Sequence, residues 1–106
     1  MKYMETVEGL VKFLNKATTA YQAVDEFSKM MNDSGFKKLD YDDELSVARG
    51  GSYYVSPFPS MCIAFKVGKK FDYNQGFKII AGHLDSPCFK VKPAPEMTSS
   101  GYTKLN

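Results

Sequence analysis

The sequence is poor in the side chains from which most catalytic and metal centres are assembled: its 106 residues include one histidine and two cysteines. A single histidine excludes a zinc centre built from imidazoles alone, because zinc takes three or four protein ligands. Cys62 and Cys88 stand at no spacing that marks a zinc or redox motif. A run of about twenty apolar residues is also missing, which excludes a membrane-spanning helix. Charge of one sign is missing too: 14 Lys and Arg face 12 Asp and Glu, a formal net charge of +2, with the basic residues scattered. That leaves no electrostatic footprint for nucleic acid or anionic lipid. The nearest approaches to basic patches, Lys37-Lys38 and Lys69-Lys70, read as solvated surface beside turns. No internal repeat or low-complexity tract is present, which removes solenoids and disordered linkers.

Met1-Lys2-Tyr3-Met4-Glu5 runs straight into an amphipathic pattern rather than a signal-like segment. The expectation is a soluble, cytosolic chain with reduced thiols. A chain of this length can form one domain and bury about two thirds of its unfolded surface. Val7, Leu10, Val11 and Leu14 fall at i, i+3, i+4 and i+7 and predict a first helix with one apolar stripe. After a break at residues 15–17, Thr18 or Thr19 caps a second helix. Its stripe is Ala20, Ala23, Val24, Phe27, Met30 and Met31, and Gly35 supplies a left-handed stop. Both stripes are expected to pack on a sheet. The methionine pair fits core filling better than an adaptable groove.

Strand and turn signals follow. Residues 36–39 can pair briefly, and residues 41–45 can make a short helical turn. The acidic trio Asp42, Asp43 and Glu44 fits a helix start favoured by the dipole better than a cation loop. Gly50-Gly51 permits a tight turn before a strand at Ser52-Tyr53-Tyr54-Val55, but lacks the wider glycine pattern of a phosphate loop. Met61, Ile63, Phe65 and Val67 alternate with Cys62, Ala64 and Lys66, predicting a strand with one buried face and Cys62 in the core. Residues 77–81 form a nearly continuous apolar run, as in a central strand covered on both sides. Phe89-Lys90-Val91-Lys92 alternates again before the stiff exit Pro93-Ala94-Pro95, and residues 98–106 are expected to form a mobile tail.

The segment that carries chemistry is Ile79-Ile80-Ala81-Gly82-His83-Leu84-Asp85-Ser86-Pro87-Cys88. In extended chain alternate side chains share a face, so Asp85 can orient the His83 imidazole, the arrangement by which a metallohydrolase presents a ligand. On spacing alone the plainer reading leads: a strand-end histidine hydrogen-bonded to a neighbouring carboxylate. A nucleophilic Cys88 is disfavoured because no second histidine exists to activate it.

Ordered segments along nearly the whole chain change that balance. They are Phe13-Leu14-Asn15 with Ala17-Thr18-Thr19-Ala20-Tyr21-Gln22-Ala23-Val24, then Gly35-Phe36-Lys37-Lys38-Leu39, then Ala64-Phe65-Lys66-Val67-Gly68. Gly76-Phe77-Lys78 leading into the His83 segment, and Lys92-Pro93-Ala94-Pro95-Glu96-Met97, complete the series. Together they resemble the start of the aspartyl aminopeptidases, a family of cytosolic dizinc exopeptidases. The resemblance implies an α/β fold: the amino-terminal helices and mixed-sheet strands of a zinc-exopeptidase domain, incomplete in this chain. Residues 1–91 would belong to the metallopeptidase catalytic domain. Residues 92–106 would form its exit segment and the start of an inserted oligomerisation domain.

The resemblance also implies that His83 is a zinc ligand and that Asp85 is the catalytic-site carboxylate that steers it. The remaining ligands and the general base would lie beyond Asn106. The complete enzyme would hold two zinc ions, act on peptides by removing an amino-terminal residue (acidic Asp or Glu, with neutral or basic residues as the alternative), and assemble as a homo-oligomer, up to a dodecamer. The contrasting reading is a non-catalytic interaction or assembly module, for the case in which these 106 residues are the whole product.

Overall fold

A computed structural model describes residues 2–42 and 44–106. Two helices lead the chain, α1 (Lys2–Lys16) and α2 (Ala20–Asp33), followed by strands β1 (Lys37–Lys38), β2 (Ser52–Phe58) and β3 (Met61–Lys66). A single 3-10 turn (Tyr73–Gln75) precedes a long irregular segment, and β4 (Glu96–Ser99) and β5 (Tyr102–Leu105) close the chain. The expected α/β composition and mixed sheet are present. In the three-stranded sheet, ordered β1-β2-β3, the first pair is parallel and the second antiparallel.

Local chemistry sets the bounds of α2. Thr19 is its N-cap, with the hydroxyl oxygen accepting the Gln22 N–H at 3.3 Å, and the Thr18 hydroxyl bonds Gln22 Oε1. At the other end Gly35 takes a φ of 80°, and its N–H bonds Asn32 O at 3.0 Å while Phe36 N–H reaches back to Met31 O at 2.9 Å. That pair of bonds is a Schellman stop, which needs a residue that tolerates the left-handed region.

The core sits between α2 and the sheet. Its buried members are Ala23, Val24, Tyr53, Tyr54 and Val55. Three consecutive buried residues on β2 mean that both faces of this middle strand are covered. Tyr54, 1% exposed, donates its hydroxyl to Asn32 Oδ1 at 2.9 Å, and so ties the sheet to the end of α2. Tyr53 folds back over Gly51, accepts the Ala48 N–H at 2.9 Å, and stacks obliquely on Phe65 with ring centroids 5.6 Å apart. The β2–β3 register runs from Ser52↔Lys66 to Phe58↔Met61 and slips between Val55 and Phe58, where Pro57 has no N–H to give.

Several expectations fail here, most of them because the apolar surface concerned finds no partner. Residues 77–81 are not a strand: no ladder partner reaches them among the described residues, and Ile79 and Ile80 are 82% and 101% exposed. An apolar run specifies a central strand only where neighbours supply hydrogen bonds on both sides. The α1 stripe likewise finds no cover beyond α2, and α1 has no buried residue. Strand β3 forms as expected, but Ile63 stays 42% exposed and Cys62 is half-buried rather than core. Residues 41–42 make a bend and no helical turn follows at 44–45; Asp43, the middle of the acidic trio, lies outside the described residues.

The carboxyl end departs in the opposite sense, because the expected tail is a hairpin. Strands β4 and β5 pair from Glu96↔Leu105 to Ser99↔Tyr102 around Ser100 and Gly101, both at positive φ (52° and 76°). That is the backbone of a two-residue turn whose twist suits a hairpin. All eight strand residues are exposed.

The chain leaves 9595 Å² accessible, against about 5,900 Å² for a compact monomer of its mass. It therefore buries under half of its unfolded surface rather than the expected two thirds. Its radius of gyration, 19.5 Å, exceeds the roughly 13 Å of a compact domain of this length.

Candidate metal-ligand site

His83 lies in the irregular segment between the 3-10 turn and β4, beside Gly82 and ahead of Pro87. Its side chain is 83% exposed and that of Asp85 79%. The imidazole Nδ1 is 2.6 Å from the main-chain carbonyl oxygen of Asp85 and 3.5 Å from carboxylate Oδ1 of the same residue. A carbonyl can only accept, so Nδ1 carries the proton and the lone pair of the neutral ring sits on Nε2. The sequence pattern placed His83 and Asp85 on one side of the chain, and they meet there. It assigned the orienting contact to the Asp85 carboxylate, whereas the shorter contact is made by the Asp85 main chain.

A single exposed imidazole with its Nε2 electron pair free fits one position of a zinc shell. It does not fit a whole one: among the described residues no three His, Cys, Asp or Glu side chains gather closely enough to hold an ion. The described residues therefore offer one candidate ligand, His83, with Asp85 beside it.

Asp85, but not His83, borders a cleft of about 310 Å³, with residues 17–20 on one wall and residues 84–88 with Lys90 on the other. A second hollow of about 300 Å³ continues it past Tyr21 and Ser60. Two stretches more than sixty positions apart in sequence thus face each other across one trough. Lys90 Nζ lies over the Tyr21 ring, 5.6 Å from its centroid, within the range of a cation–π contact. Nothing local in the sequence announced that pairing, and neither residue stood among the expected site residues.

Both thiols are free. Burial pushes the Cys62 thiol up, against weaker opposing hydrogen bonds from the Ser28 side chain and the Ile63 backbone, so it is less available as a thiolate. Cys88 is exposed on the cleft wall. Lys37, Lys38, Lys69 and Lys70 are all exposed, as expected of solvated pairs. No helix among the described residues is long and apolar enough to cross a membrane.

Comparison with known proteins places this geometry in context. Residues 13–106 match the family model described as "Aminopeptidase I zinc metalloprotease (M18)". A probable M18 family aminopeptidase 2 of Clostridium novyi is 43% identical over 98 residues, covering 92% of this chain and 23% of the relative. A probable aspartyl aminopeptidase of Ricinus communis is 36% identical over 96 residues, covering 91% of this chain and 20% of the relative. Among solved structures, a chain in the cryo-EM structure of the Ape4 and Nbr1 complex superposes with a TM-score of 0.79 at 34% identity, over 89% of this chain and 18% of that one. The chain thus spans about a fifth to a quarter of the length of the curated relatives it matches.

Proposed function

The chain belongs to the aminopeptidase I zinc metalloprotease (M18) family, and from that membership we propose that it is the amino-terminal part of a zinc aminopeptidase that removes an amino-terminal residue from peptides. The observation that most supports this is the family match across residues 13–106, which takes in His83 and Asp85. In this reading His83 gives Nε2 to one of two zinc ions, and Asp85 holds the opposite side of the ring. Zinc, when bound, lowers the pKa of water and polarises the carbonyl under attack. The work of this chain is narrower. The Nδ1–H bond to the Asp85 carbonyl fixes the tautomer that exposes Nε2, and the carboxylate Oδ1 lies 3.5 Å from the same ring nitrogen.

The other ligands and the general base come from outside these residues. The exposed apolar run at Ile79 and Ile80 is consistent with that, because it has the composition of a strand that further chain would cover. Residues 92–106 begin a second, inserted domain that builds a homo-oligomer, up to a dodecamer. The separate β4–β5 sheet supports this division. The setting is cytoplasmic, which suits the free thiols. An acidic terminal residue is the preferred substrate, in line with the name of the castor bean relative.

The first test is the intact mass of the native polypeptide that carries this segment. A product several times heavier than 11.9 kDa is expected; one of 11.9 kDa would leave His83 without a complete site and favour the assembly-module reading. In the heavier product, His83→Ala should lower zinc-dependent peptidase activity more than about a hundredfold, beyond what loss of an orienting partner costs. Asp85→Asn should cost about tenfold to a hundredfold with the fold intact. Normal turnover and zinc content in the His83 variant would overturn the assignment.

A further inference from the structure

The segment that carries His83 is poorly tethered. Among the described residues no hydrogen bond or ion pair joins residues 78–91 to the helices or the three-stranded sheet, and the His83–Asp85 contacts are internal to the segment. A metal ligand must nevertheless be held within a fraction of an ångström of its productive position. The contact that bridges the gap is Lys90 over Tyr21, which joins the chain five residues beyond Asp85 to the first turn of α2. That turn is itself fixed by the Thr19 cap, so it is a firm anchor.

We propose that Tyr21 and Lys90 form a clasp that positions the His83–Asp85 loop against the start of α2, making both of them positioning residues for the metal ligand. The cleft geometry agrees, since Ala20 and Tyr21 line the same hollow as Leu84, Asp85 and Lys90. The long lysine stem spans the trough while its ammonium stays on the aromatic face, and half-exposed Tyr21 is held in no core. The chemistry is specific to an aromatic ring and a cation. A phenylalanine or an arginine preserves it, and a leucine or a methionine of similar bulk does not.

The inference rests on the reading of His83 as a zinc ligand, and the test separates the two. In the complete native protein, zinc affinity is measured by chelator competition, and amide hydrogen exchange of Leu84, Asp85, Ser86 and Cys88 is measured without zinc. Tyr21→Leu and Lys90→Met should each weaken zinc about two- to fivefold and speed exchange of the loop by a similar factor, the range an exposed cation–π contact carries. Tyr21→Phe and Lys90→Arg should stay within about twofold of the parent, and the Leu/Met double variant should be no worse than either single. The sign at Lys90 is informative, because removing a nearby positive charge would by itself tighten zinc; weaker binding therefore reports lost positioning.

Additive losses in the double variant, or unchanged exchange in both singles, would overturn the clasp. If His83→Ala still releases zinc in that case, the ligand assignment survives. If His83→Ala leaves zinc bound, the ligand reading and the clasp's role in metal binding fall together, and any change in loop exchange reports only a structural tie. Both side chains lie outside the core, so these variants are expected to fold.

Discussion

The β2 strand and the segment at residues 77–81 carry similar sequence signals and meet opposite fates. Tyr53, Tyr54 and Val55 are 8%, 1% and 7% exposed, whereas Phe77, Ile79 and Ile80 are 77%, 82% and 101% exposed. The second run is the more aliphatic of the two. The difference is partners: β2 has β1 on one edge, β3 on the other and α2 across its face, and among the described residues no strand lies beside 77–81. Hydrophobicity provides a reason to be buried but cannot supply the neighbouring backbone that a strand needs. The proposed ligand His83 lies on the side of this divide where order must come from elsewhere.

That contrast can be broken or sharpened by substitution. Tyr54→Ala removes the most buried side chain and its bond to Asn32, and should cost about 3–5 kcal/mol, enough to unfold the α2–sheet layer. Ile80→Ala in the 106-residue polypeptide should shift stability by no more than about 0.5 kcal/mol, as for an exposed surface site. In the complete aminopeptidase proposed above, the same change should cost about 2–5 kcal/mol if further chain covers it. Denaturant melts of both proteins read the difference directly. A large Ile80 effect in the short chain, or none in the long one, would remove the contrast.

Gly51→Ala probes the same layer from its edge. A β-carbon at Gly51 would stand 2.6 Å from Tyr53 Cζ, and that ring is held by the Ala48 N–H and packed on Phe65. The ring cannot swing aside without losing both contacts, so a loss of about 1–3 kcal/mol is expected. Gly82→Ala, in the His83 segment, meets no atom within 4 Å and serves as the control that should change little. Equal effects at the two glycines would mean that the β2 edge is no better packed than the His83 segment.

What the sequence disclosed follows the same division. The cap at Thr19, the stop at Gly35 and the strands around Tyr54 and Ile63 depend on chemistry within a few residues, and the pattern shows them. The Ser100-Gly101 turn is equally local, yet the expectation of a mobile tail at residues 98–106 rests on their lack of packing partners and overlooks it. His83 and Asp85 stand out as candidates because their motif spans three residues and carries a family resemblance, and their contact is seen. The Tyr21–Lys90 contact was not, because it joins points 69 positions apart and leaves no periodicity behind. The burial of residues 77–81 was over-read for a related reason: a sequence states a preference, and the neighbours that satisfy it need not lie within the same stretch of chain.

The smallest effect expected lies at the junction of the two helices. Glu26 holds Lys29 at 2.6 Å and faces Lys16 of α1 at 3.6 Å. The hydrogen bond to Lys29 holds the Glu26 carboxyl below its ordinary range, with the positive charge of Lys16 helping and partial desolvation opposing. A carboxyl whose pKa is depressed in the folded state contributes stability that is present above the ordinary glutamate range and is lost as pH falls through the lowered value. Lys29 is raised by the same bond, so its share is present below the ordinary lysine range and lost as pH rises through the raised value. Glu26→Gln should therefore flatten both limbs of the stability-against-pH curve and leave its middle slightly lower. Because both lysines are 67% exposed, salt should erase most of the difference. A Glu26 effect that survives high salt would mean that α1 is clamped more firmly to α2 than its bare apolar stripe indicates, and that the well-packed region extends to the amino-terminal helix.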